Sequence, residues 1–230
     1  MAARAVVGTV VAAVVVGGGL VVADVLARSV AEQDAERAVM RELEVDGTPD
    51  VRIEGFPFLT QLLARTLDDV TVTAAAVTVD GFRLTDVDAS GQDVSLEAPH
   101  VAGDVRIEAT VPVETVSRLV AERTGLTVDV TVDGGALRAS GDLLGAQLSA
   151  GLVPRVEDGR LLVEVQDLAL GARELRVEDL PGGLGERLGA VEIPVEGLPE
   201  GTALEAAQVV PDGVRVTATG ADVALQEVRP

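Results

Sequence analysis

Runs in which apolar and polar residues alternate, broken by Asp-Gly pairs, set the narrowest limits on how this chain can fold. Val105, Ile107, Ala109 and Val111 alternate with Arg106, Glu108 and Thr110. Leu126, Val128, Val130 and Val132 alternate with Thr127, Asp129, Thr131 and Asp133, and Val214, Val216 and Ala218 with Arg215, Thr217 and Thr219. Successive side chains of a strand point to opposite faces, so this pattern describes a half-buried antiparallel sheet. Asp80-Gly81, Asp133-Gly134, Asp158-Gly159 and Asp212-Gly213 suit the positive φ angles of tight hairpin turns. Hairpin connections argue against βαβ crossovers, and so against Rossmann and TIM architectures. From Val70 to Val79 the alternation slips by one at Ala74-Ala75-Ala76, which predicts a bulge and a bent sheet.

Few segments read as helix. Asp24 to Leu43 lacks Gly and Pro and carries a loose apolar stripe of Leu26, Val30, Val39, Met40 and Leu43. Phe56 to Arg65 places Phe58, Leu59, Leu62 and Leu63 on one face, with Pro57 in a permitted first-turn position. Pro112 to Thr124 places Val113, Val116, Leu119 and Val120 on one face, and Gly125 stands where a C-terminal cap belongs. Leu184 to Leu188 is a weaker third candidate. Val51-Arg52-Ile53-Glu54, Val105-Arg106-Ile107-Glu108 and Arg176-Val177-Glu178 each lead to a Pro and one of these helices, which suggests a repeated strand–Pro–helix–strand unit.

Ala5 to Ala23 carries no charge over 19 residues. As a helix it is about 28 Å long, close to the thickness of a bilayer's hydrocarbon core. Arg4 precedes it and Asp24 follows at once, so positive charge stays inside and the remainder is expected outside the cytoplasm. A secretory signal has an apolar region of roughly 7–15 residues. The longer run favours a single-pass anchor with the domain in a periplasm-like envelope space. Val21-Val22-Ala23 also fits a cleavage site, which leaves secretion open. The expected division is anchor or signal over 1–23, helical stalk over 24–46 and exported domain over 47–230.

The rest of the chain excludes more chemistry than it offers. A formal net charge of −20 repels nucleic acid and gives no pull toward anionic headgroups. With no Tyr or Trp and three Phe, stacking platforms for bases or sugars are nearly absent. There is no Cys and one His, His100, so thiolate catalysis is excluded and a zinc site is not expected. No Gly-x-Ser-x-Gly elbow stands ready to complete a triad with His100. A Walker loop lacks its lysine, because all 18 basic residues are Arg. Asp86, Asp88 and Asp93 lie outside any EF-hand pattern and read as a charged strand face. No catalytic residue, metal or cofactor is assigned.

Gly55-Phe56-Pro57-Phe58-Leu59 concentrates two of the three Phe residues beside a Pro. Such a segment plugs a core, lines a cavity or inserts at a membrane surface. Val51-x-Ile53-x-Gly55-Phe56-Pro57-Phe58-Leu59-Thr60-Gln61-Leu62-Leu63, then Val70-x-Val72 and Leu84-Thr85-Asp86-Val87, resembles the DUF2993 or LmeA-like family of actinobacterial cell envelopes. Ile193-Pro194, Leu198-Pro199-x-Gly201 and Pro211-Asp212-Gly213 fit the same pattern. The resemblance implies an exported, non-enzymatic phospholipid-binding protein acting in envelope lipid or glycolipid assembly. It also implies a fold similar to tubular lipid-binding (TULIP-like) domains: α+β, a curved and mainly antiparallel sheet beside a few short amphipathic helices around an apolar channel, here preceded by a transmembrane helix. Through it Phe56, Pro57, Phe58, Leu59, Leu62 and Leu63 are expected to line the cavity. Periodicity adds Val113, Val116, Leu119 and Val120. The expected partners are phospholipid or glycolipid and the membrane, with no nucleic acid. A closed-core scaffold of an envelope assembly and a carboxylate-based hydrolase remain as alternatives, and the size of an internal apolar cavity separates the first from the lipid reading.

Overall fold

A computed structural model describes residues 2–79, 81–124, 127–143, 146–171, 173–174, 191–193 and 198–225; the side chains of residues 1–20 lie outside that description. One helix, α1 (Ala2–Glu42), opens the chain. It is followed by β1 (Glu44–Asp46), β2 (Asp50–Glu54), α2 (Phe58–Ala64), β3 (Thr66–Val79), β4 (Phe82–Ser95), β5 (Val101–Pro112) and α3 (Val113–Thr124). Then come β6 (Val128–Asp133), β7 (Ala136–Leu143), β8 (Ala146–Glu157), β9 (Arg160–Leu170), β10 (Arg173–Glu174), β11 (Val191–Ile193), β12 (Thr202–Val210) and β13 (Gly213–Ala224).

The strands form two open antiparallel sheets. The first runs β1-β3-β4-β5-β13-β12, with β2 also on β3; the second runs β10-β9-β8-β7-β6, with β11 on β9. β5 belongs to the first sheet and β6 to the second, so α3 is the crossover between them. Asp133-Gly134, Asp158-Gly159 and Asp212-Gly213 fall at hairpins; Asp80 of the fourth pair lies outside the described residues. Asp158 and Gly159 both have positive φ, 51° and 72°, so both central residues of that turn meet the two-residue hairpin requirement.

The bulge expected in β3 lies in its neighbours. The β3–β4 register is unbroken from Thr66↔Ser95 to Val79↔Phe82. The extra residues sit in the edge, between Asp46↔Ala76 and Asp50↔Thr73, and in β4, between Thr85 and Asp88, where Asp86 takes φ 48°. Alanines fit either face of a pleat, so the slipped pattern in β3 marks where its partners shift.

The main core fills the space between the sheets. It joins Ala109, Val214 and Val216 of the first sheet to Val130, Leu137, Leu152 and Leu161 of the second, with Val116, Leu119 and Val120 of α3 between them. A second, smaller cluster of Ile53, Phe58 and Leu67 closes against Ala27 and Ala31 of α1. Of the loose apolar stripe read after residue 24, Leu26, Val30, Met40 and Leu43 are exposed and Val39 is half-buried. Small and polar residues form the docking face instead. Among the described residues no helix is long and apolar enough to cross a membrane; most of the run from Ala5 to Ala23 falls among the side chains outside that description. The candidate helix at 184–188 and the third repeat unit also lie outside the described residues.

Candidate functional site

The ten residues expected to line one cavity are divided between two places. α2 is built from its motif. Gly55 takes φ 88°, and a Cβ there would strike the amide of Gln61 and the carboxylate of Asp68. Gln61 is buried. Its Nε2 donates to the Glu54 carbonyl and its Oε1 accepts from Asp68 N–H, both at 3.0 Å, which ties the end of β2 to the start of β3. Pro57, at the N-cap, offers no side-chain cap. The cap comes from α1: Asp24 Oδ2 accepts from Phe58 N–H (3.0 Å) and Oδ1 from Leu59 N–H (2.7 Å). Arg65, left-handed at φ 56°, closes the other end.

This frame buries Phe58 to 2 % exposure and turns its neighbours out. Phe56 is 66 %, Leu62 47 % and Leu63 84 % exposed; Pro57 is exposed and Leu59 half-buried. Phe58 fills the small cluster beside Ile53 and Leu67.

α3 sits in the main core. Val116, Leu119 and Val120 are buried and Val113 is partly buried against them. Val116 and Leu119 line an enclosed void of about 20 Å³, completed by Val111 and Val214 of the first sheet and Pro154, Leu161 and Val163 of the second. Every lining residue is apolar. The void holds about one water-sized sphere, whereas ligand pockets span roughly 300–1,000 Å³. Among the described residues an open hollow of acyl-chain size, expected from the sequence, is not seen at this seam: aliphatic side chains of both sheets and α3 close on one another. Two larger clefts among the described residues, of about 490 and 500 Å³, are open to solvent and mix polar with apolar lining. The second lies beside Phe56 and includes Arg28, Glu32, Arg52 and Glu54.

α3 is held at its flanks by polar bonds. Ser117 Oγ donates to the Val113 carbonyl (2.9 Å) and accepts from Val130 N–H on the edge strand β6 (3.0 Å). Thr115 Oγ1 donates to the Arg83 carbonyl (3.2 Å), and Arg118 donates to the Gly81 carbonyl (3.1 Å) while its guanidinium lies 5.1 Å from the centre of the Phe82 ring.

Charged chemistry is sparse. Among the described residues no group of three or more His, Asp or Glu is placed to hold a metal. His100 Nδ1 lies 3.2 Å from the Ser95 carbonyl oxygen. Arg52, at the surface, donates to Asp50 Oδ2 (2.8 Å), and that hydrogen bond and the carboxylate's charge raise its pKa above the ordinary guanidinium value. Sequence reasoning missed the three α1 residues that face this region: Asp24, Arg28 and Glu32. Their signal was a fourfold spacing of charged residues directly after the uncharged run.

Among proteins of known type, the family model for LmeA-like phospholipid-binding proteins matches residues 22–219. No curated protein and no solved structure matches the chain. The match takes in α2 and its motif, α3, both sheets and the docking half of α1, and the chain therefore belongs to the LmeA-like phospholipid-binding family.

Proposed function

We propose that this protein binds phospholipid by taking acyl chains into the seam between its two sheets, beside α3. In this reading it is a binding protein, not an enzyme. It acts in envelope lipid or glycolipid assembly, on the extracytoplasmic side of a membrane in which residues 5–23 anchor it. The wholly apolar lining of the closed seam supports this reading most. Each CH₂ removed from water gains about 0.8 kcal/mol, so a chain of ordinary length binds without a basic headgroup clamp. Loading requires the seam to widen from about 20 Å³. α3 is the element suited to move, since it crosses between sheets and its polar bonds lie at its flanks.

The anchor reading rests on the uncharged length of residues 5–23 and on Arg4 and Asp24 at its ends. A chain of net charge −20 gains little from anionic headgroups, so a tether supplies the proximity that electrostatics does not.

The tight seam also fits a second reading, a scaffold with a permanently closed core. Native mass spectrometry of the full chain, released from mild detergent, separates the two. Phospholipid adducts are expected, and Leu119→Phe, which fills the void with a ring, is expected to reduce them. Absence of adducts together with failure to take up labelled phospholipid from vesicles establishes the scaffold instead.

A further inference from the structure

The contacts of α1 step toward its N-terminus. Glu32 Oε1 accepts from Ile53 N–H (2.9 Å), Arg28 donates to the Gly55 carbonyl, and Asp24 caps Phe58 and Leu59. Each step is four residues on α1, so one face of that helix carries all three. The chain from β2 into α2 therefore runs antiparallel to α1, and α2 lies at the end of α1 where the uncharged run stops. Ala23, the last residue of that run, immediately precedes the capping Asp24.

The large side chains exposed on α2 and the turn before it are apolar, Phe56, Leu62 and Leu63, with the small polar Thr60 beside them. Val21, Val22 and Val25, on the adjacent turn of α1, are exposed too. Next to Phe56 lies a cleft into which the charged residues Arg28, Glu32, Arg52 and Glu54 are set. An apolar tip backed by a charged belt is the profile of a segment lying in the boundary between headgroups and acyl chains.

We infer that α2 and the Phe56 turn are a membrane-docking tip, seated in the surface of the same bilayer that holds residues 5–23. This rests on the anchor reading above. If the run spans the bilayer with Asp24 at its outer edge, the Asp24 cap fixes α2 at the level of the headgroups. The occupant is a lipid surface because α1 is one continuous helix from that run to the cap. Docked this way, the domain is held at the bilayer by two adjoining contacts and its lipid supply lies beside it.

The chain contains no cysteine, so single-site labelling needs no background removal. Full-length Leu63→Cys and, as a distant surface control, Thr131→Cys are labelled with an environment-sensitive fluorophore. Each is reconstituted into phosphatidylcholine vesicles that contain phosphatidylglycerol as the anionic lipid. Flotation reads the anchor; quenching by a shallow nitroxide phospholipid and by aqueous iodide reads docking. The Leu63 site is expected to be quenched several-fold more by the nitroxide lipid than the Thr131 site, and less by iodide. Vesicles that float with iodide quenching equal at both sites overturn the docking tip and leave the anchor intact. A Leu63 label shielded from both quenchers overturns it in favour of contact with another protein copy. A chain that does not float overturns the anchor, and the docking tip with it.

Discussion

Asp24 accepts the backbone N–H of Phe58 at 3.0 Å across 34 residues of sequence, and with the Leu59 N–H at 2.7 Å it supplies the cap that Pro57 cannot. The first acid after the uncharged run is thereby buried at 2 % exposure and spent on fastening α2 to α1. A charge at this place reads in the sequence as the polar end of an apolar segment. In the folded chain it also joins that segment to the Gly-Phe-Pro-Phe-Leu element.

Asp24→Ala removes both acceptors and leaves two amide donors at a covered helix start. Hydrogen bonds to charged groups contribute about 1.5–3 kcal/mol each, with solvent and relaxation reducing the sum. The expected loss is about 2–3 kcal/mol in the stability of the α1–α2 contact. Hydrogen exchange at Phe58 and Leu59 checks it: their protection is expected to fall while that of β8 and β9 holds. Unchanged exchange at both amides would show that the cap contributes nothing.

Gly55→Ala acts on the same element by another route. The residue needs a positive φ, and its Cβ would collide with Gln61 and Asp68. Destabilisation above about 1 kcal/mol is expected in chemical denaturation. Gly47→Ala, also at positive φ but with open space around its Cβ, is expected to cost less. Equal losses at the two positions would mean that the crowding at Gly55 is relieved elsewhere.

Ser117→Ala leaves Val130 N–H on an edge strand without its hydroxyl acceptor. A cost of about 1–3 kcal/mol follows from an unsatisfied donor. The more telling readout is lipid uptake: freeing one flank of α3 is expected to speed acyl-chain entry measured by stopped-flow dequenching of a labelled phospholipid. Slower entry, with the fold intact by circular dichroism, would argue that α3 stays in place during loading.

The strands and hairpins were legible because their causes are local: alternation sets the faces, and Asp-Gly sets the turns. Val105 to Val111 and Val214 to Thr219 lie in strands as read, as does Val128 to Asp133 of the run read from Leu126, and the helix read from Pro112 to Thr124 starts one residue later, at Val113. The packing of α1 was not legible. Of its loose stripe Leu26, Val30, Met40 and Leu43 lie outward and Val39 is half-buried, because the helix docks through Asp24, Arg28 and Glu32 onto backbone groups, and periodicity of apolar residues cannot report such bonds. The motif around Phe56 was recognised as apolar, but its split into a buried Phe58 and exposed Phe56, Leu62 and Leu63 depends on Gly55 and Gln61, whose partners are remote in sequence or backbone atoms. The width of the seam beside α3 depends on how two sheets meet, which no single segment encodes.

Under the proposed function this seam opens to admit acyl chains. The most direct measurement of that opening is photolabelling of the full chain in vesicles of a phospholipid with a diazirine in the acyl tail, followed by peptide mapping. Adducts are expected on α3 and β9, the elements that supply Leu119, Leu161 and Val163 to the void. Adducts confined to α1 and α2, with none on α3 or β9, would contradict the proposed function.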